Sequence, residues 1–392
     1  MVKTDVGPVS AAGPAAADRS DRADSEDRAA RKAERQAAKQ RADAERRLRR
    51  QQDADDRRAA EERERAAVAA RAYEHYRQVR AWARAFSPAG DAAAAALTEA
   101  ERRMLGELGH LWDAAPDVIT ALRRWTEPIT GVRPADYDPA SRELALHLKY
   151  EIGYLRRNVG EELFVQESPL LGGFGVEWHR QRYNEDTVRF FKAIVGLHDA
   201  GVLAECRGQD RRRVVWEIGG GWGGFAFQFK TLCPDVTYVI TGLPECLLVS
   251  AVYLMTAFPD ARCRLYEPGS AMAGDWDQID FVFAPEHAID ELRLPALDAV
   301  LDVMALRQMS DARTARHVER AFELGARYFF SQLPGPCFPS ELPDVWRAIE
   351  RRYWMHQIPP RLEAAAFLVD DFQSAPRIDD YAQAVGWRRI RT

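Results

Sequence analysis

"WEIGGGWGGF", Trp216 to Phe225, sets five glycines within six residues, directly behind an apolar run and a carboxylate. Glycine weakens helix and strand interiors, so such a cluster implies tight turning or close backbone approach to something else. Upstream, "RVVWEIG" is a short β-branched run that reads as a strand ending at the glycines. Downstream, "FAFQFKTLC" reads as a helix. A glycine turn between a strand and a helix lets backbone N–H groups and a helix N-terminus face a ligand.

The same alternation continues outward. "VTYVITGL", "ARCRLYEP", "IDFVFAPE", "LDAVLDVMAL" and "ARYFFSQLP" read as strands, with helices at "ECLLVSAVYLMTAF" and "DARTARHVERAFELG". Strands alternating with helices of this length predict an α/β, Rossmann-like, doubly wound parallel sheet, placed here at residues 205–392. Past Pro334, "ELPDVWRAIERRYWMHQIPP" predicts a helix and then a short strand or loop. The tail "DDYAQAVGWRRIRT" predicts a helix and an edge strand.

In such a sheet, ligands sit at the carboxyl ends of the strands. Two ligand classes fit the glycines. Gly219, Gly221 and Gly224 satisfy the dinucleotide spacing G-x-G-x-x-G. Gly219, Gly221 and Gly223 behind Glu217 satisfy acid-x-G-x-G-x-G, the pattern of class I methyltransferases. Pyrophosphate would meet repulsion from Glu217, whereas S-adenosylmethionine carries an ammonium, a sulfonium and no phosphate. A dinucleotide fold also wants an acid at the tip of the second strand. That tip is Thr241-Gly242, with Glu245 the nearest acid. Both points favour the methyl donor.

"VVWEIGGGWGGFAFQF" followed by "TYVITGLPECLLVSAVYLMTAFP" resembles the sugar O-methyltransferase family, bacterial class I enzymes that use S-adenosylmethionine. "GFGVEWHRQRYNEDTVRFFKAI" and "LDAVLDVMALRQMSDARTARHVERAFELGARYFFSQLP" resemble the same family, so the likeness covers roughly residues 167–360. It implies a sugar or glycosylated-metabolite hydroxyl as acceptor. It also implies that Glu217, the glycines Gly219, Gly220, Gly221 and Gly223, and the turn containing Leu243 and Glu245 line the cofactor site. Two positions depart from the family: Gly242 stands where an aspartate would hold the ribose hydroxyls, and Gln308 where glutamate is usual. Glu245 could substitute for the missing acid.

A sugar hydroxyl is weakly acidic, so a general base would help, and histidine is poised near neutral pH. His287, after the strand "IDFVFAPE", is the first candidate and His179, in "EWHRQRYNED", the second. Asp302, near the tip of "LDAVLDV", reads either as a contact to the donor or acceptor or as a capping carboxylate. Tyr183 and Trp222 could stack on a ring or belong to the core. "RGQDRRRVV" reads as a solvated basic turn, with a phosphate contact as the alternative. The five cysteines and eight histidines show no metal-site spacing, so no metal is expected.

The N-terminal half is different in kind. Residues 1–20 predict a disordered tail. Residues 21–85 are dominated by Ala, Arg, Lys, Asp, Glu and Gln, which predicts a long charged helix or weak coiled coil. Residues 86–204 carry amphipathic segments and predict a helical cap, with Thr98 and Glu101 forming a capping box. The 392-residue chain has a net charge of -5 and a pI near 6.0, which advertises no nucleic acid partner. No apolar run approaches the roughly 20 residues of a membrane span. The expectation is a cytoplasmic methyltransferase with a small-molecule or glycan acceptor and self-association through the charged helix. The rivals are an NAD(P)-dependent oxidoreductase and a degenerate methyltransferase fold serving as a binding or assembly module.

Overall fold

The computed structural model describes residues 15–86, 96–208, 210–269, 276–335, 342–358 and 381–389. The expected N-terminal tail falls largely outside them. Two compact units divide the chain, Met1–Ala67 and Val68–Thr392. One helix, α1 (Ala15–Arg84), runs through the boundary. It begins before the expected start and ends at Arg84, close to the expected end, because no Gly or Pro interrupts it. Within the larger unit, Ala72, Tyr76, Val79 and Ala83 are buried at steps of four and three, which keeps one helical face on the core. Trp82 Nε1 donates to the Tyr266 carbonyl at 2.7 Å.

The cap follows with α2 (Glu99–Leu108) and α3 (Arg142–Val159). Thr98 and Glu101 make the reciprocal capping box expected of them. The stretch around "EWHRQRY" is a hairpin of β1 (Val176–Trp178) and β2 (Gln181–Tyr183), turned by His179 and Arg180 at φ 50° and 63°. Non-glycine residues in that left-handed region hide the turn from a sequence reading. Helix α4 (Glu185–Asp199), capped by Asn184, leads into the core.

The core alternates β3 (Arg213–Ile218), α5 (Gly224–Leu232), β4 (Val236–Gly242), α6 (Pro244–Ala257), β5 (Cys263–Leu265), β6 (Phe281–Pro285), β7 (Ala299–Val303), α7 (Asp311–Glu323), β8 (Tyr328–Pro334), α8 (Asp344–Glu350), β9 (Tyr353–Ile358) and β10 (Tyr381–Arg388). The sheet order is β5-β6-β4-β3-β7-β8-β10-β9. Every pairing is parallel except those of β10, which runs antiparallel to both neighbours. This is the expected α/β, Rossmann-like, doubly wound sheet. β3 is buried at every residue, as a strand covered on both faces must be. Val215, Tyr238 and Ile240 enter one apolar cluster, Val214, Trp216 and Val239 the other, so the sheet separates two cores.

The C-terminal expectation needs correction. Tyr381–Arg388 holds no helix, and its strand is not at the edge. It pairs on both sides, with β8 from Tyr328 to Pro334 and with β9 from Tyr353 to Ile358. The edge strand is β9. Two ladders of backbone hydrogen bonds outweigh the weak helical signal of a short Ala-containing segment.

Candidate functional site

The strand order reverses at β3, with β4 on one side and β7 on the other, and ligands gather at the carboxyl ends of such a switch point. There the glycine turn begins. Gly219 N donates to the Thr241 carbonyl at 2.7 Å, and Gly223 N to Gly220 at 2.8 Å. Gly219 takes φ 65°, and a Cβ there would fall 2.5 Å from Ala305 Cβ. A Cβ at Gly220 would fall 2.6 Å from Ile240 Cγ2. The turn is therefore pressed against β4 and the end of β7, and a cleft opens above it. Gly219, Gly220, Gly221, Glu217 and Leu243 all line this cleft, as does Gly242.

Glu217 is the unusual member. Its side chain is 3% exposed, and its Oε2 accepts from Tyr238 Oη at 3.0 Å. No cation pairs with it among the described residues. Burial pushes its carboxyl up to about 8, and the nearby charge of Asp302 adds to that against the Tyr238 bond. A carboxylate at the floor of a cleft, disposed to be neutral when alone, is a place prepared for a cationic group. Trp222, which also lines the cleft, has a buried Nε1 without a hydrogen-bond partner.

The other expected residues are placed differently. Gly223 caps the start of α5 and is not part of the lining. Asp302 is fully buried and occupied: Oδ1 accepts from Ala305 N and Leu306 N at 2.9 and 3.0 Å, and Oδ2 from Ser331 Oγ at 2.7 Å. Burial raises it to about 6. It shapes the turn after β7, holding Met304 at φ 71°, rather than meeting a ligand. Glu245 lies in the first turn of α6 and does not line the cleft. Gly242 has ordinary backbone angles and free space, the nearest atom to a Cβ there being 3.8 Å away. Neither candidate base reaches the cleft. His287 is exposed with its ring 5.7 Å from Phe86, and His179 is exposed at the hairpin tip beside Trp178. No histidine is among the described lining residues. Tyr183 is buried in the core. The basic turn is a set of ion pairs at the amino end of β3, Arg211 with Asp298 and Arg212 with Asp280, away from the cleft.

Three arginines escaped the sequence reading. Arg313 of α7 lines the cleft and clamps two carboxylates. Its Nη1 donates to both oxygens of Glu101 at 2.8 and 2.7 Å, its Nε to Glu286 Oε1 at 2.8 Å, and its Nη2 to Glu286 Oε2. Burial works to raise Glu286, but the Arg313 hydrogen bonds and charge hold it below the usual carboxylate range. Arg189 of α4 reaches the cleft wall, bound to Asp186 at 2.9 Å and Tyr381 Oη at 2.8 Å. Arg123, wholly buried, pairs with Glu167 at 2.8 Å and Asp186 at 2.9 Å. Its guanidinium lies 3.8 Å from the centre of the Trp222 ring, which ties the cap to the glycine turn. No local signal marks these residues, because each joins segments far apart in sequence.

No protein-family model matches the chain, and no curated protein does. Among solved structures, the apo form of the S-adenosylmethionine-dependent methyltransferase SibL is 13% identical with a TM-score of 0.30, covering 71% of this chain and 75% of that one. An S-adenosylmethionine-dependent methyltransferase from Mesorhizobium loti is 13% identical with a TM-score of 0.29, covering 48% and 96%. Phosphoethanolamine N-methyltransferase 2 of Haemonchus contortus, in complex with phosphomonomethylethanolamine and S-adenosylhomocysteine, is 11% identical with a TM-score of 0.29, covering 53% and 58%. At these values the likenesses decide nothing about chemistry, and the fold stands on the strand order of the chain itself.

Proposed function

We propose that the cleft binds S-adenosylmethionine and that the protein is a methyltransferase acting on a small-molecule acceptor. One observation carries this reading: Glu217 is a buried carboxylate beneath a glycine turn, and no cation pairs with it among the described residues. The donor's ammonium would supply that charge and draw the carboxyl into its ionised form, whereas the pyrophosphate of a nicotinamide dinucleotide would find in Glu217 no positive group to balance its own charge. Bound there, S-adenosylmethionine supplies an electrophilic methyl carbon on a cationic sulfur. Glu217 holds the ammonium, the glycine turn lets the backbone approach, and Leu243 packs beside it. Arg189 offers a positive group to the donor carboxylate. Val303, Met304, Ala305 and Gln308 form the wall past β7 and orient the acceptor, and positioning of this kind supplies much of the rate in a displacement.

The sugar hydroxyl rests on the sequence resemblance. The lining counts against an ordinary sugar alcohol: Met104, Met304, Met309 and Ile129 make it apolar, and Glu101 and Glu286 are both taken up by Arg313. An acceptor whose nucleophilic atom needs no strong base suits it better. Cys206, Cys233 and Cys246 are buried and unbridged, which fits our reading of a cytoplasmic enzyme. Gly242 favours one second reading, a methyltransferase-like fold that binds without turnover.

Calorimetric titration with S-adenosylmethionine, S-adenosylhomocysteine, NAD and NADP tests the proposal. Binding of the first two, weakened at least tenfold by Glu217→Gln, is expected. Binding of a nicotinamide nucleotide, or of none of the four, overturns it.

A further inference from the structure

Between Arg28 and Arg50 the sequence has ten basic and three acidic residues, and along the chain they interleave. On the continuous helix α1 they separate. At about 100° per residue, Arg28, Lys32, Arg35, Lys39, Arg46 and Arg49 recur at steps of four, three, four, seven and three and share one side. Arg31 and Arg50 flank the same stripe, all eight are exposed, and together they span roughly 100° of the circumference. Glu34 and Glu45 lie to one flank, roughly 110° and 90° from the stripe's centre, with Asp43 at the stripe's other edge. At 1.5 Å per residue the stripe is about 33 Å long.

We propose that this stripe binds a nucleic-acid backbone. Its length matches one turn of duplex, roughly 34 Å. Six of the eight cations are arginine, whose planar fork pairs two-pronged with phosphate oxygens. A membrane surface fits worse, because an interfacial helix needs an apolar face and Leu48 is the one large apolar residue between Arg28 and Arg50, on the far side from the stripe. A second copy of the helix fits worse too. Outside residues 28–50 the same winding puts acidic positions 21, 24, 53, 61 and 64 and basic Arg57 on that side, fewer charges than the eight cations of the stripe. The chain's net charge of -5 hides this surface, since phosphate recognition depends on where the cations lie.

The test is fluorescence anisotropy of the full chain with a fluorescein-labelled 20-base-pair duplex, titrated from 50 to 200 mM KCl. Two double variants carry the same charge change on the same helix: Arg35→Glu/Lys39→Glu on the stripe and Arg41→Glu/Arg47→Glu off it. Circular dichroism checks that both keep their helix. Wild-type binding should weaken about four-thousandfold over that salt range, with a log–log slope near -6. The stripe variant should lose at least thirtyfold and about two units of slope, the off-stripe variant less than threefold. Equal losses from the two variants overturn the proposal. So does wild-type binding to phosphatidylserine vesicles, or self-association lost only in the stripe variant, without duplex binding at 50 mM. Absence of all three interactions overturns it as well.

Discussion

Replacing Glu217 with glutamine should make the free protein more stable at neutral pH while weakening its ligand binding. Glutamine has the shape of the neutral acid and still offers an oxygen to Tyr238 Oη. Unfolded, Glu217 titrates near its ordinary 4.5; folded, burial pushes it up to about 8. Between those values the folded protein holds a proton that the unfolded chain has released. The stability tied to that proton is fully present below pH 4.5 and is lost as pH rises through about 8. One proton corresponds to roughly 1.4 kcal/mol per pH unit. Urea unfolding of both proteins without ligand, at intervals from pH 5 to 7.5, should show their difference growing by about 3 kcal/mol in favour of glutamine. Taking the difference cancels the titration of Asp302 and of other groups common to both. A cationic ligand should also expel the proton: at pH 7 the carboxyl is ~90% protonated, so binding should release nearly one proton. Calorimetry in two buffers of different ionisation enthalpy reads that number. A stability difference that does not change with pH would refute the reasoning, because Glu217 would then already be ionised in the free protein.

The other predictions concern the same cleft. Gly242→Asp should be accommodated without strain, given its open surroundings. It should tighten S-adenosylhomocysteine binding about tenfold by offering a carboxylate to the ribose, worth roughly 1–2 kcal/mol; unchanged affinity in calorimetry would show that the strand tip is not the ribose contact. Arg313→Met leaves Glu101 and Glu286 buried beside each other without their shared cation, and should cost roughly 3–5 kcal/mol in chemical denaturation. A loss under 1 kcal/mol would mean that the clamp is incidental. His287→Ala, on an exposed side chain outside the cleft, should change stability by less than about 0.5 kcal/mol and leave S-adenosylhomocysteine affinity unaltered. A tenfold loss of affinity would return His287 to the site.

What the sequence disclosed was whatever is encoded locally. The glycine turn, the acid behind it, the strand–helix alternation and the cap at Thr98 are each short patterns with one physical cause. The sequence was silent where contacts are long-range. The Arg313 clamp joins residues 212 positions apart, and "DARTARHVER" gives no hint that one of its arginines faces inward. Asp302 looks like a strand-tip acid ready for a ligand until its three hydrogen-bond donors are seen. Tyr381–Arg388 reads ambiguously because its strand character comes from the two strands it joins. The interleaved charges of α1 separate only when wound onto a helix.

The placement of β10 has a consequence for biosynthesis. It is the last of the eight sheet strands to leave the ribosome, yet it sits between two strands made earlier. Until it arrives, β8 is paired only with β7 and leaves one side open, and β9 has no ladder at all. The sheet therefore cannot close on this side until β10 has been made. The nascent chain must keep those two strands apart and unpaired, which makes this stage the one at which a chaperone would matter most. A ribosome stalled after β9 would leave a chain whose glycine turn is already built but whose sheet has a slot waiting for any compatible strand.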